Sequence, residues 1–289
     1  MGLPTEDTRV LYPGGTVTTQ ATVLHTELLA DGRSAVLLDA TCVHPVDAGW
    51  PDQGPDQGLL HHGAAFWPIE DCIVGATDGA TLYLGDSIPV AKGTPGWAFV
   101  VVHVVDAPGL AAGDSVMVEV DEGLRDATSA GHTACHLASL ALNRVLADRW
   151  KKEVRPDGLG HPDFDGLAID ESLIGPNASV DTYRLGKSLR KKGFSVEGLA
   201  VALPQLEVAV NAALAEWTET DAMVRVERDG DRLTDRRSWV CELPEASVRI
   251  PCGGTHVRSL GTLGVVSVTL ALHDLDGTDV LTMNTSASR

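Results

Sequence analysis

The sequence predicts an α+β fold. A small β-barrel-like N-terminal domain, residues 1–120, precedes an α+β domain, residues 121–289. Three observations carry this. The first 120 residues read as short β-rich runs cut by Gly, Pro and Asp. A helical period opens after them. Strand-like runs return beyond a second helix.

The elements follow in order. The stretch from Thr16 to Pro45 holds two β-rich runs around Asp31-Gly32, a hairpin signal. "HPVDAGWPDQGPDQG", from His44, is dense in Pro, Gly and Asp and predicts a loop. "GWAFVVVHVVDA" and "DSVMVEVD" are further strand-like runs. The spacing then predicts a helix from Ala127 to about Trp150, with Leu137, Leu140, Ala141 and Val145 on one face and His132 and His136 at its edge, near the helix start. Residues 155–182 read as loop-rich. A second helix is expected to open at Pro204, a favoured first helical position, and to carry Leu206, Val210, Ala213 and Trp217. "AMVRVER", "ASVRI", "VVSVTLAL" and "VLTMN" then read as strands.

The chain has 289 residues, 44% of them hydrophobic, with no run of some 18 apolar residues, so no membrane partner is expected. The N-terminus lacks the basic-then-apolar pattern of a secretion signal. Five scattered cysteines make no disulfide framework, and a reducing, cytoplasmic location is expected. A net charge of −18 opposes general binding to DNA or RNA. Two clusters run against it: Arg149, Lys151, Lys152 and Arg155, then Arg184, Lys187, Arg190, Lys191 and Lys192. Each reads equally well as solvated helix ends or as a local nucleic-acid patch.

"GHTACH" places His132 and His136 one helical turn apart, close enough to grip one ion. Alone the pair is weak. Downstream, "RIPCGGTHV" sets Cys252 and His256 four apart just after an expected strand. Thiolate and imidazole together favour Zn2+. A spacer of more than a hundred residues excludes a zinc finger and points to a site closed from distant elements. No H-E-x-x-H and no H-x-E with P-C-x-x-C is present. Cys135 reads as a small core residue, and His44, His61, His62, His103 and His161 as structural or exposed.

These motifs, in this order, resemble the editing domains of alanyl-tRNA synthetase and their free-standing AlaX-type relatives, and more distantly the threonyl-tRNA synthetase editing domain. "GDSVMVEVD", "HTACHLASLALN", "QLEVAVN", "VRIPCGGTHV" and "SLGTLG" are each similar to a family element, over residues 113–264. The N-terminal motif Y-P-x-G-G-G-Q-P-x-D-x-G is matched less well. Set against "HPVDAGWPDQG", its glycines fall on Asp47-Ala48-Gly49 and its glutamine on Trp50. That loss would alter the amino-acid pocket.

The resemblance implies zinc-dependent hydrolysis of the ester that joins an amino acid to a tRNA 3′ end. His132, His136, Cys252 and His256 would be the ligands. Thr133 and the amides of Gly253, Gly254 and Thr255 would face the amino acid. Seryl- or glycyl-tRNA(Ala) is the expected substrate, or a threonine-like or non-proteinogenic residue such as fluorothreonine. A metal-dependent hydrolase of a small ester or amide, and a non-catalytic module with structural zinc, stay open.

Overall fold

The computed structural model describes residues 2–47, 49 and 51–288. It is mixed in class, mostly sheet with a few helices. The chain divides into two compact units. The first comprises residues 1–125, 226–237 and 253–255, and the second residues 126–225, 238–252 and 256–289.

In the first unit, strands β1 (Arg9–Val10), β2 (Thr18–Leu28), β3 (Ser34–Leu38), β4 (Ala40–Thr41), β5 (Gly58–His62), β6 (Ala65–Thr77), β7 (Leu82–Leu84), β8 (Ala98–Val105) and β9 (Ser115–Val120) follow one another. β2 and β3 form the hairpin expected around Asp31-Gly32. Leu28 pairs with Ser34, and Gly32 holds φ of 91°. The large sheet runs β5-β9-β2-β3-β8-β6-β7. β5 also pairs with β6, so the hydrogen bonding returns to its start around six strands. Alternate residues of β2 and β9 point inward, including Ala21, Val23, Val116 and Val118. Both faces of β8 are buried. β5 and β6 were not anticipated individually, because the half-buried His61 and Trp67 and the exposed Phe66 blur the period of two.

Helix α1 (Glu122–Val145), which belongs to the second unit from Asp126 on, begins five residues before the expected start. Asp121 explains this: its Oδ1 accepts from Leu124 N at 2.9 Å, an N-cap the apolar period cannot show. His132 and His136 therefore sit mid-helix. α1 is buried almost all round from Ser129 to Asn143, not amphipathic with the histidines at an edge. The stretch expected to be loop-rich holds α2 (Phe164–Ala168) and a hairpin of β10 (Ile169–Gly175) and β11 (Ala178–Arg184). Its turn has Asn177 at φ 54°.

After α3 (Lys187–Lys191), helix α4 spans Leu199–Thr218, and Pro204 lies inside it rather than at its start. Pro204 and Ala200 are exposed, so the carbonyl that loses its partner faces water, which lowers the cost of the proline. β12 (Val224–Arg228), β13 (Arg237–Glu242), β14 (Ser247–Pro251), β15 (Val265–Leu275) and β16 (Thr278–Ser288) complete the chain. β13 was not anticipated.

The sheet β10-β11-β16-β15 carries β15 at its edge. On α4, Asn211 donates to Val268 O (2.9 Å) and accepts from Val268 N (2.7 Å), and Glu207 accepts from Leu270 N (2.8 Å). Two polar side chains thus close edge-strand backbone that would otherwise be unpaired. By length and composition alone α4 resembles a membrane-spanning segment, yet Val210, Ala213, Leu214 and Trp217 are buried in this unit's core.

Candidate metal centre

Backbone constraints place each half of the site. On α1, Gly131 precedes His132. A Cβ there would lie 2.3 Å from Gly175 O and 2.6 Å from Ala178 O, so only glycine lets α1 pass the β10–β11 turn. His132 is buried and His136 half-buried, with ring centroids 4.9 Å apart as the i, i+4 spacing demands. On the other side, β14 pairs with β13 through Trp239–Ile250 and Ser238–Pro251, and ends at Pro251. Cys252 follows directly, and His256 four residues later.

The structure brings these four side chains together. Cys252 Sγ lies 3.4 Å from His132 Nε2 and 3.2 Å from His256 Nε2, and one donor atom from each residue falls within 4.8 Å of all the others. The imidazoles crowd one another, His132 to His256 at 4.4 Å and His136 to His256 at 5.1 Å. Tetrahedral zinc with bonds of about 2.0 Å to N and 2.3 Å to S needs donors roughly 3.3–3.6 Å apart. The sulfur–nitrogen distances fit, and so do three imidazoles with one thiolate. A further observation agrees: His136 Nε2 is buried with no hydrogen-bond partner. Burial pulls its pKa down to about 4, which keeps the ring neutral and its lone pair free. Trp239, absent from the sequence reading, is fully buried with its ring 5.1 Å from His136.

Thr133 is fully buried. Its Oγ1 donates to Ser129 O (2.9 Å), accepts from Val257 N (3.2 Å) and lies 3.2 Å from His256 Nδ1. With its proton on Ser129, the hydroxyl can only accept from Nδ1–H, which makes Nε2 the acceptor nitrogen of His256, 3.2 Å from Cys252 Sγ. Thr133 thus packs against His256, where the resemblance suggested contact with the amino acid. The amide of Thr255 also differs from expectation: it donates to Gln53 Oε1 at 3.1 Å, and Thr255 Oγ1 accepts from Gln53 Nε2 at 3.0 Å. Gly253 is exposed, with open space where a Cβ would stand.

Gln53 corrects the reading of the N-terminal motif. It is buried, and Gln53, Asp56 and Gly58 keep the spacing Q-x-x-D-x-G, shifted three residues from Trp50. Each has a physical task. Asp56 accepts from His44 N (2.5 Å) and from Arg125 Nε (2.7 Å), and Arg125 also donates to Cys42 O (2.7 Å). This buried pair ties the loop to the first turn of α1. At Gly58 a Cβ would stand 2.2 Å from Glu119 O, so the β5–β9 pairing requires glycine. Trp50 and Ala48 lie outside the described residues. A glutamine at that spacing is thus present at Gln53, three residues on from Trp50, and spacing counted from His-Pro missed it.

Cys135 faces away from the quartet. Its Sγ lies 3.3 Å from Asp181 Oδ1, which also accepts from Ser172 Oγ (2.6 Å), while Asp181 Oδ2 accepts from Ser179 Oγ (3.1 Å). Burial pushes the Cys135 thiol well up and raises Asp181. Beside them Asp165 accepts from Tyr183 Oη (3.0 Å), and burial, then Asp181, lift its pKa to about 7. His103 in the first unit is structural, bonded to Thr41 Oγ1 (2.8 Å) and Val36 O (3.2 Å) and pulled down to about 4 by burial. His44 is buried against Tyr12, at 5.0 Å between rings.

No family model matches the chain. It is 28% identical over 244 residues, 83% of its own length and 26% of the relative's, to the alanine–tRNA ligase of Parvibaculum lavamentivorans. For the alanine–tRNA ligase of Delftia acidovorans the figures are 26% over 250 residues, 84% and 23%. For that of Frankia alni they are 28% over 235 residues, 81% and 22%. The chain spans about a quarter of the length of these curated relatives. Over some four-fifths of its own length it is homologous to alanyl-tRNA synthetases and carries a His3Cys cluster able to hold a metal ion.

Proposed function

We propose that the protein is a zinc-dependent trans-editing hydrolase that deacylates mischarged aminoacyl-tRNA. The convergence of His132, His136, Cys252 and His256, in a chain homologous to alanine–tRNA ligases, is the observation that carries this reading. His132 Nε2, His136 Nε2, Cys252 Sγ and His256 Nε2 would hold the ion. When bound there, zinc supplies a Lewis acid able to polarise an ester carbonyl or activate water. The chain's own residues do the rest. Thr133 fixes the tautomer of His256, and buried Trp239 shields one side of His136 from solvent. Gln53 clamps Thr255 through both backbone and side chain, which orders the Gly253-Gly254-Thr255 segment between the two downstream ligands. The amides of Gly253 and Gly254 are the donors proposed for a developing oxyanion. Retention of Gln53, Asp56 and Gly58 supports seryl- or glycyl-tRNA(Ala) ahead of an unusual amino acid. A separate hydrolytic site suits that task, since one methyl or hydroxyl offers a synthetic site only about 1–3 kcal/mol of discrimination.

The test is deacylation of Ser-tRNA(Ala), Gly-tRNA(Ala), Ala-tRNA(Ala) and Thr-tRNA(Thr) by metal-loaded and chelated protein. Seryl or glycyl release, with alanyl-tRNA(Ala) spared, should fall at least a hundredfold on chelation and return with added Zn2+. Absence of hydrolysis of any aminoacyl-tRNA by the zinc-loaded protein overturns the reading.

A further inference from the structure

Two basic clusters, some forty residues apart in sequence, form one patch in the second unit. Lys151 N donates to Gly193 O (2.9 Å) and Ser195 N to Arg149 O (2.9 Å), so the two segments pair antiparallel, with Trp150 opposite Phe194. Lys152 Nζ reaches Lys191 O at 3.0 Å. Trp150 and Phe194 pack edge to face at 5.2 Å, while Lys151, Lys152, Lys187, Arg190, Lys191 and Lys192 are exposed. Among the described residues Lys151, Lys187, Lys191 and Lys192 make no ion pair with a carboxylate.

The charge is concentrated. Residues 148–153 and 184–195 hold eight of the 22 Lys and Arg but two of the 40 Asp and Glu, leaving 14 cations and 38 acids elsewhere. A polyanion is repelled by most of this chain and attracted here, so the patch sets orientation as well as affinity. The patch also lies past the end of α1. At 1.5 Å per residue, Val145 stands about 14 Å along the helix from His136, a span a short single-stranded overhang can cover.

We infer that this patch is the phosphate-docking surface for the acceptor stem of the tRNA whose 3′ end enters the metal centre. The inference rests on the proposed function and adds the surface by which the substrate is held. Contacts there are to backbone phosphates, so they carry affinity and register but no base specificity.

The experiment compares wild type with Lys151→Gln/Lys187→Gln/Lys191→Gln/Lys192→Gln. A control matches the charge change at exposed first-unit positions: Gln20→Glu/Leu28→Glu/Ala65→Glu/Ser115→Glu. Binding of uncharged tRNA(Ala) is measured by fluorescence anisotropy across a KCl series. The lysine variant should bind at least tenfold more weakly, and the slope of log K against log salt should shrink by about 2 to 4. The control should stay within about twofold. Hydrolysis of a small seryl ester should be unchanged in the lysine variant, which also shows that it is folded. Wild-type binding with an unaffected lysine variant overturns the patch and leaves the proposed function standing. Equal losses in control and lysine variant also overturn it. Failure of the wild type to bind tRNA at all overturns both.

Discussion

The two units bury charge in opposite ways. In the first, the buried carboxylate Asp56 is paired with the buried guanidinium of Arg125, and every strong donor of that cation meets Asp56 or a backbone carbonyl. In the second, Asp165 and Asp181 lie close enough to repel. The cation offsetting Asp165 is Arg155, itself exposed and bonded to Asp163 at 2.9 Å. The first unit fastens a loop with a compensated pair. In the second, burial raises Asp165 and Asp181 and so favours their protonated forms, because the nearest cation is exposed and already held by Asp163. The lesson is that a desolvated group with a full partner charge and one without it respond differently to substitution.

The largest effect should come from breaking the compensated pair. Arg125→Met leaves Asp56 buried alone and should cost about 3–5 kcal/mol, read by urea denaturation, while Arg125→Met/Asp56→Leu should recover most of it. A cost below about 1 kcal/mol for the single variant would erase the contrast between the units.

Acidity sharpens it next. Asp165 has a folded pKa raised to about 7, so the folded state keeps its proton where the unfolded chain has lost it. Its stability contribution is full below pH about 4 and is lost as pH rises toward about 7, a fall of about 2–4 kcal/mol. His103 runs the other way. Its folded pKa is lowered to about 4, so stability present above 6.5 is lost as pH falls toward about 4. Hydrogen exchange in chelator should show β11 amides better protected at pH 5 than at pH 8, with that difference abolished by Asp165→Asn. β8 amides should lose protection below pH 6.5, and His103→Gln should flatten that loss. The same trend in both strands would contradict the assignment.

The smallest effect concerns the ligand shell. Thr133→Val should weaken Zn2+ binding about tenfold, or about 1.4 kcal/mol, and change the Co2+ absorption spectrum, while Thr133→Ser should restore both. Equal affinity for all three proteins would mean that His256 keeps its tautomer without the hydroxyl.

Much of the site was readable because its signals are local. His132 with His136 and Cys252 with His256 are pairs at helical or loop spacing, and pairing them needs only donor chemistry. Helix boundaries were harder, because Asp121 sets the start of α1 through one side-chain bond and Pro204 is tolerated where its orphaned carbonyl meets water. The β10–β11 hairpin escaped detection because its exposed acids interrupt the alternation. Its signal, Gly175-Pro176-Asn177, was nonetheless present.

By itself, the sequence determined that four soft and borderline donors exist in two close pairs, that strands precede a long helix, and that cations cluster twice in an acidic chain. Tertiary structure alone decided which way each side chain turns. It gave Thr133 to His256, Gln53 to Thr255 and Cys135 to Asp181, and it merged the two basic clusters. The physical reason is that spacing constrains residues within a turn or two of helix, while a hydrogen bond or charge pair across a hundred residues depends on which surfaces the core has already packed together.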